Sequence, residues 1–247
     1  MFNSFATSER IHFVARCLRG VCDSHDLGFV ADSRLMNIAR QRRQRTGQAV
    51  SFPTVHLHLP SWLGEFLEKK DSVYPTRAGR VRLVIEMSRL NARNGTGGPF
   101  AAAIFSRRTN ALLAPGVNVV VGERCSVAHA EMMAIMTAQR VMKHYDLGQG
   151  ICGPVELVSS AEPCTMCQGA ILWSGVSSLV YAARGVDACR IGFDEGPKAP
   201  DWIKQFKARG ISVAGGVYRK DAVAVLRDYH KNGGVIYNSG SPVARGA

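Results

Sequence analysis

Two short segments, His129-Ala130-Glu131 and Pro163-Cys164-Thr165-Met166-Cys167, constrain this chain more than any other feature. Thirty-five positions separate His129 from Cys164, yet their chemistry asks them to meet. Two cysteines at i and i+3 at a helix start face one side, so their thiolates can reach a single ion. A histidine at the start of another helix supplies a third donor. Three protein ligands leave one tetrahedral position for water, the arrangement of a catalytic rather than a structural zinc. The fold must therefore bring two helix N-termini together, and their dipoles favour thiolates. Glu131 lies two residues beyond the histidine, where it can approach a bound water without competing for the ion. Zinc brings the pKa of such a water to roughly 7.

Each part is weak alone. Cys-x-x-Cys also marks redox pairs and half of many structural zinc sites, and a lone His-x-Glu says almost nothing. In this order, with Pro163 directly before the first cysteine, they compose the zinc-deaminase signature. A structural site would need a fourth ligand, and none is tied to the motif. The other five cysteines (17, 22, 125, 152 and 189) are irregularly spaced and read as small buried hydrophobes rather than a disulfide framework.

The 247 residues suffice for one sizeable domain with an appendage. Residues 1–57 differ from the rest: they hold eight Arg and no Lys, whereas all eight Lys lie at 69 or beyond. This segment reads as a basic, disordered extension not needed for catalysis, with a targeting peptide or a mis-assigned start as alternatives; its four acids argue against a transit peptide. The domain proper is expected over 58–247. Of the net charge of +12, the extension carries +4 and the remainder is spread thinly. That favours a solvated basic surface over a nucleic-acid groove. No apolar run approaches the roughly 18–20 residues of a membrane span, and no secretory block opens the chain. A cytoplasmic protein is expected.

Order is expected from about His58-Leu59-Pro60. Val81, Val84, Ile85 and Ser88 mark a helix that ends at Gly95, Gly97 and Gly98. Ala101–Ser106 reads as a buried strand, Arg108-Thr109-Asn110 as a hairpin turn, and 111–121 as a second strand interrupted at Pro115-Gly116. A helix is expected over 129–145, a strand over 155–159, a helix from Cys164 to Trp173 and a strand over 178–182. A helix closing at Gly210, a strand over 211–218 and a helix from about Asp221 to His230 complete the order. Strands alternating with helices indicate a layered α/β sheet.

Longer stretches carry a family resemblance: Gly97-Gly98-Pro99-Phe100-Ala101-Ala102-Ala103, Ala128-His129-Ala130-Glu131, and Ser160-Ala161-Glu162-Pro163-Cys164-Thr165-Met166-Cys167. Ile191-Gly192-Phe193-Asp194-Glu195-Gly196-Pro197 and Gly234-Val235-Ile236-Tyr237-Asn238 extend it. The chain resembles the cytidine/deoxycytidylate deaminase superfamily, and within it the bacterial guanine deaminases, including the branch that accepts aminotriazines. The resemblance implies a three-layer α/β/α sandwich around a mixed five-stranded sheet and a homodimer. It implies one catalytic zinc on His129, Cys164 and Cys167, with Glu131 as proton shuttle. Phe100 and His129 would sandwich the ring, while Asn118 and the Ala130 amide would bond its edge. Glu195 would be a second catalytic carboxylate on the donor edge, with Asp194 beside it. Trp173 would border the pocket, or else be a core aromatic, and Tyr237 would close the site. The implied reaction is guanine to xanthine plus ammonia, with aminotriazines such as ammeline as further substrates. A cytosine or nucleoside deaminase, a tRNA wobble adenosine deaminase and a non-catalytic zinc module are the rivals. The last has no use for Glu131.

Overall fold

The computed structural model describes residues 53–150 and 152–238. Most of the expected N-terminal extension, residues 1–52, lies outside the described residues, as does the tail 239–247.

Apolar runs without alternation build the centre of the sheet. β1 (Ala101–Ser106) and β4 (Ser178–Ala183) are buried at every position, and so is β3 (Val155–Ala161). Such strands carry helices on both faces. The strand order is β2-β1-β3-β4-β5, with β2 at Leu112–Val117 and β5 at Ser212–Gly215. β1 pairs antiparallel with β2 and with β3, whereas β3, β4 and β5 run parallel. This is a mixed five-stranded sheet.

Ala101, Ala103 and Phe105 face a core completed by Val81, Val84 and Met87 of α2 (Arg77–Arg93) and by Val225 and Leu226 of α8 (Arg219–Lys231). Ala102, Ile104, Leu157 and Leu179 face the other core. It is filled by Ala134 and Ile135 of α4 (Ala130–Met142), Ile171 of α5 (Thr165–Trp173), and Trp202 and Phe206 of α7 (Trp202–Ala208). Two helical layers enclose one sheet: the three-layer α/β/α sandwich. Thr76 caps α2 by accepting the Gly79 amide at 3.1 Å. Among the described residues no helix is long and apolar enough to cross a membrane.

Several expected boundaries move. Pro115 and Gly116 do not interrupt β2. The strand lies at the sheet edge, where proline is tolerated, and Gly116 lets the α4 backbone come close: a Cβ there would collide with the Ala130 carbonyl oxygen. β2 instead stops at Val117, and Val120–Glu123 forms a short helix, α3. β5 ends at Gly215, four residues beyond which Arg219 opens α8. Two further short helices, α1 (Ser61–Glu68) and α6 (Gly185–Cys189), have no counterpart in the periodicity reading.

Candidate metal centre and active site

Topology gathers the predicted residues at one end of the sheet. β3 and β4 are parallel, so the turns that follow Ala161 and Ala183 lie side by side, where open α/β sheets place their ligands. β1 runs antiparallel to β3, which brings its start, and Phe100 just before it, to that same end. β2 returns Asn118 there, and its amide donates to the Phe100 carbonyl at 3.1 Å.

His129 stands at the N-cap of α4 and Cys164 at the N-cap of α5, so two helix starts converge. His129 Nδ1 is 3.5 Å from Cys164 Sγ and 3.7 Å from Cys167 Sγ. The three donor atoms lie within 4.8 Å of one another, and this soft N,S,S set suits zinc. The Cys164 thiol is pulled down to about 4, first by its hydrogen bond with Cys167 and then by His129. The Cys167 thiol is pushed up instead, by that same bond and by burial.

Glu131, in the first turn of α4, is 6% exposed and lies outside the group of three candidate donors. Ser159 Oγ donates to its Oε1 at 3.0 Å, and the Cys167 thiol donates to Oε2 at 3.4 Å. Burial, with the neighbouring Cys164 thiolate, raises its pKa, which favours a carboxyl that takes up and releases a proton. Ala130 opens α4, so its N–H has no intrahelical acceptor.

Asn118 is 1% exposed. Its side-chain oxygen accepts the Val120 amide at 3.3 Å, which leaves one lone pair and two N–H donors as the side chain's remaining capacity. Phe100 stacks edge-on against Phe193 (4.9 Å between centroids), Phe193 against Tyr237 (5.2 Å), and Tyr237 against His129 (6.3 Å). Phe100 and His129 are thus linked, through Phe193 and Tyr237, by one chain of ring contacts. The segment carrying Tyr237 is held by Asn238, which accepts the Asp194 amide at 2.9 Å and donates to the Gly192 carbonyl at 2.7 Å.

Glu195 is no solvated loop acid. Its side chain is 13% exposed, and its backbone carbonyl accepts the Thr165 amide at 3.1 Å, beside Cys164. Burial pushes its carboxyl up to about 7, while the Lys198 ammonium pulls the other way. Asp194, by contrast, is exposed, and its carboxylate accepts the Gly196 amide at 2.9 Å, which shapes the loop. Trp173 lies at the far end of its helix from the cluster. It ends α5, roughly 13 Å along the helix from Cys164, and at 81% exposed it is not a core aromatic.

Four residues of the site were not singled out from sequence: Ser159, Glu162, Phe193 and Lys198. Phe193 and Glu162 sit inside the quoted family stretches, which was the available signal. Ser159 and Lys198 gain meaning only from the fold.

Residues 80–183 match the family described as the cytidine and deoxycytidylate deaminase zinc-binding region. The guanine deaminase of Bacillus subtilis (strain 168) is 42% identical over 101 residues, which make up 41% of this chain and 60% of that enzyme. The solved guanine deaminase from Nitrosomonas europaea is 44% identical, with a TM-score of 0.69 and coverage of 72% of this chain and 97% of that one. The structure of NE0047 in complex with 2,6-diaminopurine is 45% identical, with a TM-score of 0.70 and coverage of 76% and 98%. Likeness of that degree over nearly the whole of a relative is kinship, and the chain belongs to the cytidine and deoxycytidylate deaminase family as a deaminase similar to its bacterial guanine deaminases.

Proposed function

We propose that this enzyme hydrolyses the amino group of guanine, giving xanthine and ammonia, and that it also takes aminotriazines such as ammeline. The observation that carries this reading is a second buried carboxylate, Glu195, beside the metal donors and Glu131. Guanine presents N1–H and a 2-amino group as adjacent donors, which a carboxylate accepts well. Leaving such donors unpaired on burial costs about 1–3 kcal/mol each, enough to separate guanine from bases with a different edge. The similarity to guanine deaminases supports the same choice.

His129, Cys164 and Cys167 would hold one zinc, and the donor set fits it. When bound there, zinc supplies a water activated for attack at neutral pH. Glu131 takes a proton on its carboxylate, delivers it to the ring nitrogen beside the reacting carbon, and serves the departing amine in turn. Ser159 donates to Oε1 of that carboxylate and so fixes its orientation. Asn118 N–H and the Ala130 amide donate to the acceptor edge, while Glu195 accepts from the donor edge. Phe100, Phe193 and Tyr237 cover the ring and exclude water. Asp194 and Trp173 take no part in this scheme within one chain. A cytoplasmic homodimer belongs to the same reading. Trp173, exposed on the helix that bears both cysteines, is an apolar side chain suited to such a contact.

The test is kinetic. Ammonia release from guanine, ammeline, cytosine, adenine and tRNA ranks the substrates. Glu195→Gln is then expected to lower kcat/KM on guanine by about 10²-fold, and any activity on cytosine far less. Equal losses on both bases would make Glu195 a general catalytic or structural group. Wild type preferring cytosine or tRNA would overturn the substrate and leave the metal chemistry standing.

A further inference from the structure

We infer that Lys198 is a positioning residue that fixes the Glu195 carboxylate at the substrate edge and ties it to the turn that carries Cys164. The inference rests on the reading of Glu195 given above. Lys198 Nζ lies 2.9 Å from Glu195 Oε2 and 3.2 Å from Glu162 Oε1. The three side chains are at most 15% exposed, so this is a buried bridge rather than a surface pair.

Each end of the bridge is anchored. Glu162 precedes Cys164 by two residues, and its second oxygen, Oε2, accepts the Gly185 amide at the start of α6 at 3.1 Å. Gly185 leaves room for the ammonium: a Cβ there would lie 2.8 Å from Lys198 Nζ. At the other end, the Glu195 backbone is fixed to Thr165, the first residue of α5. Lys198 therefore links the loop that bears Glu195 to the two turns that follow β3 and β4.

The chemical consequence concerns which oxygen meets substrate. With Oε2 engaged by Lys198, Glu195 keeps Oε1 without a protein partner among the described residues. A glutamate side chain on a loop loses substantial rotamer freedom when it is ordered, and the ammonium imposes that order before substrate arrives. Without Lys198, two buried carboxylates would face each other across the same space, and Glu195 would swing away or take up a proton. Either response blunts its ability to accept the donors of the substrate edge. A flexible loop acid becomes a preorganised acceptor.

The experiment is a double-mutant cycle in the zinc-loaded full-length protein: Lys198→Met and Lys198→Arg, each alone and each combined with Glu195→Gln. The readouts are guanine kcat and KM, bound zinc and Tm. Lys198→Met is expected to lower kcat/KM by about 10–100-fold, the usual effect of losing an outer-shell partner, with zinc retained. Lys198→Arg should restore most of that loss. In the Glu195→Gln background Lys198→Met should cost less than about 2-fold more, because the group it acts through is gone. The same loss in both backgrounds, or no loss from Lys198→Met alone, overturns the inference. Near-native turnover of Glu195→Gln alone overturns the reading of Glu195 itself, and the inference with it, in a measurement that involves no Lys198 variant. If Lys198→Met loses zinc, the cycle is run with Lys198→Gln, which removes the charge but keeps a donor.

Discussion

Two buried glutamates meet the same strand from opposite sides, and they are treated differently. Glu156, on β3, points to the α2 face, where Arg80 binds its Oε2 at 3.1 Å and Ser178 its Oε1 at 3.0 Å. Three residues along, Ser159 points to the α4 face and donates to Glu131. Glu156 has a full cationic partner and both oxygens occupied. Glu131 has one hydroxyl and one weakly donating thiol, and among the described residues no cation is bonded to it. The first carboxylate is held for the fold. The second is left with capacity for a proton, at a site where helix starts and thiols take the place of a guanidinium. Replacing side chains at each end should therefore separate chemistry from stability.

The largest effect is expected at the metal donors. Cys164→Ala or Cys167→Ala should abolish stable zinc binding and deamination, since three ligands leave no spare. Metal analysis settles it: full zinc in either variant would reassign the ligand set. Next comes Glu131→Gln, which keeps shape and zinc but cannot relay a proton. Turnover should fall by at least about 10²-fold, the lower range for general acid–base groups, with Tm near that of wild type. Near-native turnover would mean that another group carries the proton.

The opposite face should respond the other way. Arg80→Met leaves Glu156 buried with a single hydroxyl partner, and breaking such a pair costs about 3–5 kcal/mol. For a domain of this size that lowers Tm by roughly 6–20 °C. Zinc content and kcat/KM per folded molecule should be nearly unchanged at low temperature. A variant with native Tm and lost activity would show that this ion pair serves the site after all.

The same two-sidedness explains what the sequence made legible. β1 was readable to the residue, because an apolar run bounded by Pro99 and a turn has few alternatives. The meeting of His129, Cys164 and Cys167, with Glu131 close by, was readable because the spacing of the two motifs is a chemical requirement. Lys198 was not: it follows Gly196-Pro197 like any loop lysine, and only the tertiary fold turns it inward to two carboxylates. Ser159 was hidden for a related reason. β3 is buried on both faces, so no alternation tells which of Ser159 and Ser160 faces the site. Pro115-Gly116 misled because a turn signal and a close-packing requirement share the same two residues. Trp173 stayed open to two readings because an apolar helix with cysteines at one end says nothing about the surroundings of the other; its exposure removes the core one.

The smallest effect is expected from the segment that differs most in composition. Residues 1–52 hold all eight Arg of the basic extension and none of the candidate site residues. Leu57 and Leu59 already pack against the α2-side core, so a cut placed before them spares that packing. Removing residues 1–52 takes away a charge of +4 and no group assigned a chemical role. Changes away from buried features usually stay within about 0.5 kcal/mol, or roughly 2 °C in Tm for a domain of this size. Guanine kcat/KM and zinc content should likewise hold. The decisive measurement pairs thermal unfolding with steady-state kinetics on the truncated and full-length proteins. A fall in Tm alone would make the extension part of the folded domain. A rise in KM with Tm unchanged would place it at the mouth of the site. Either result would move the boundary between scaffold and chemistry upstream of the region in which both are now described.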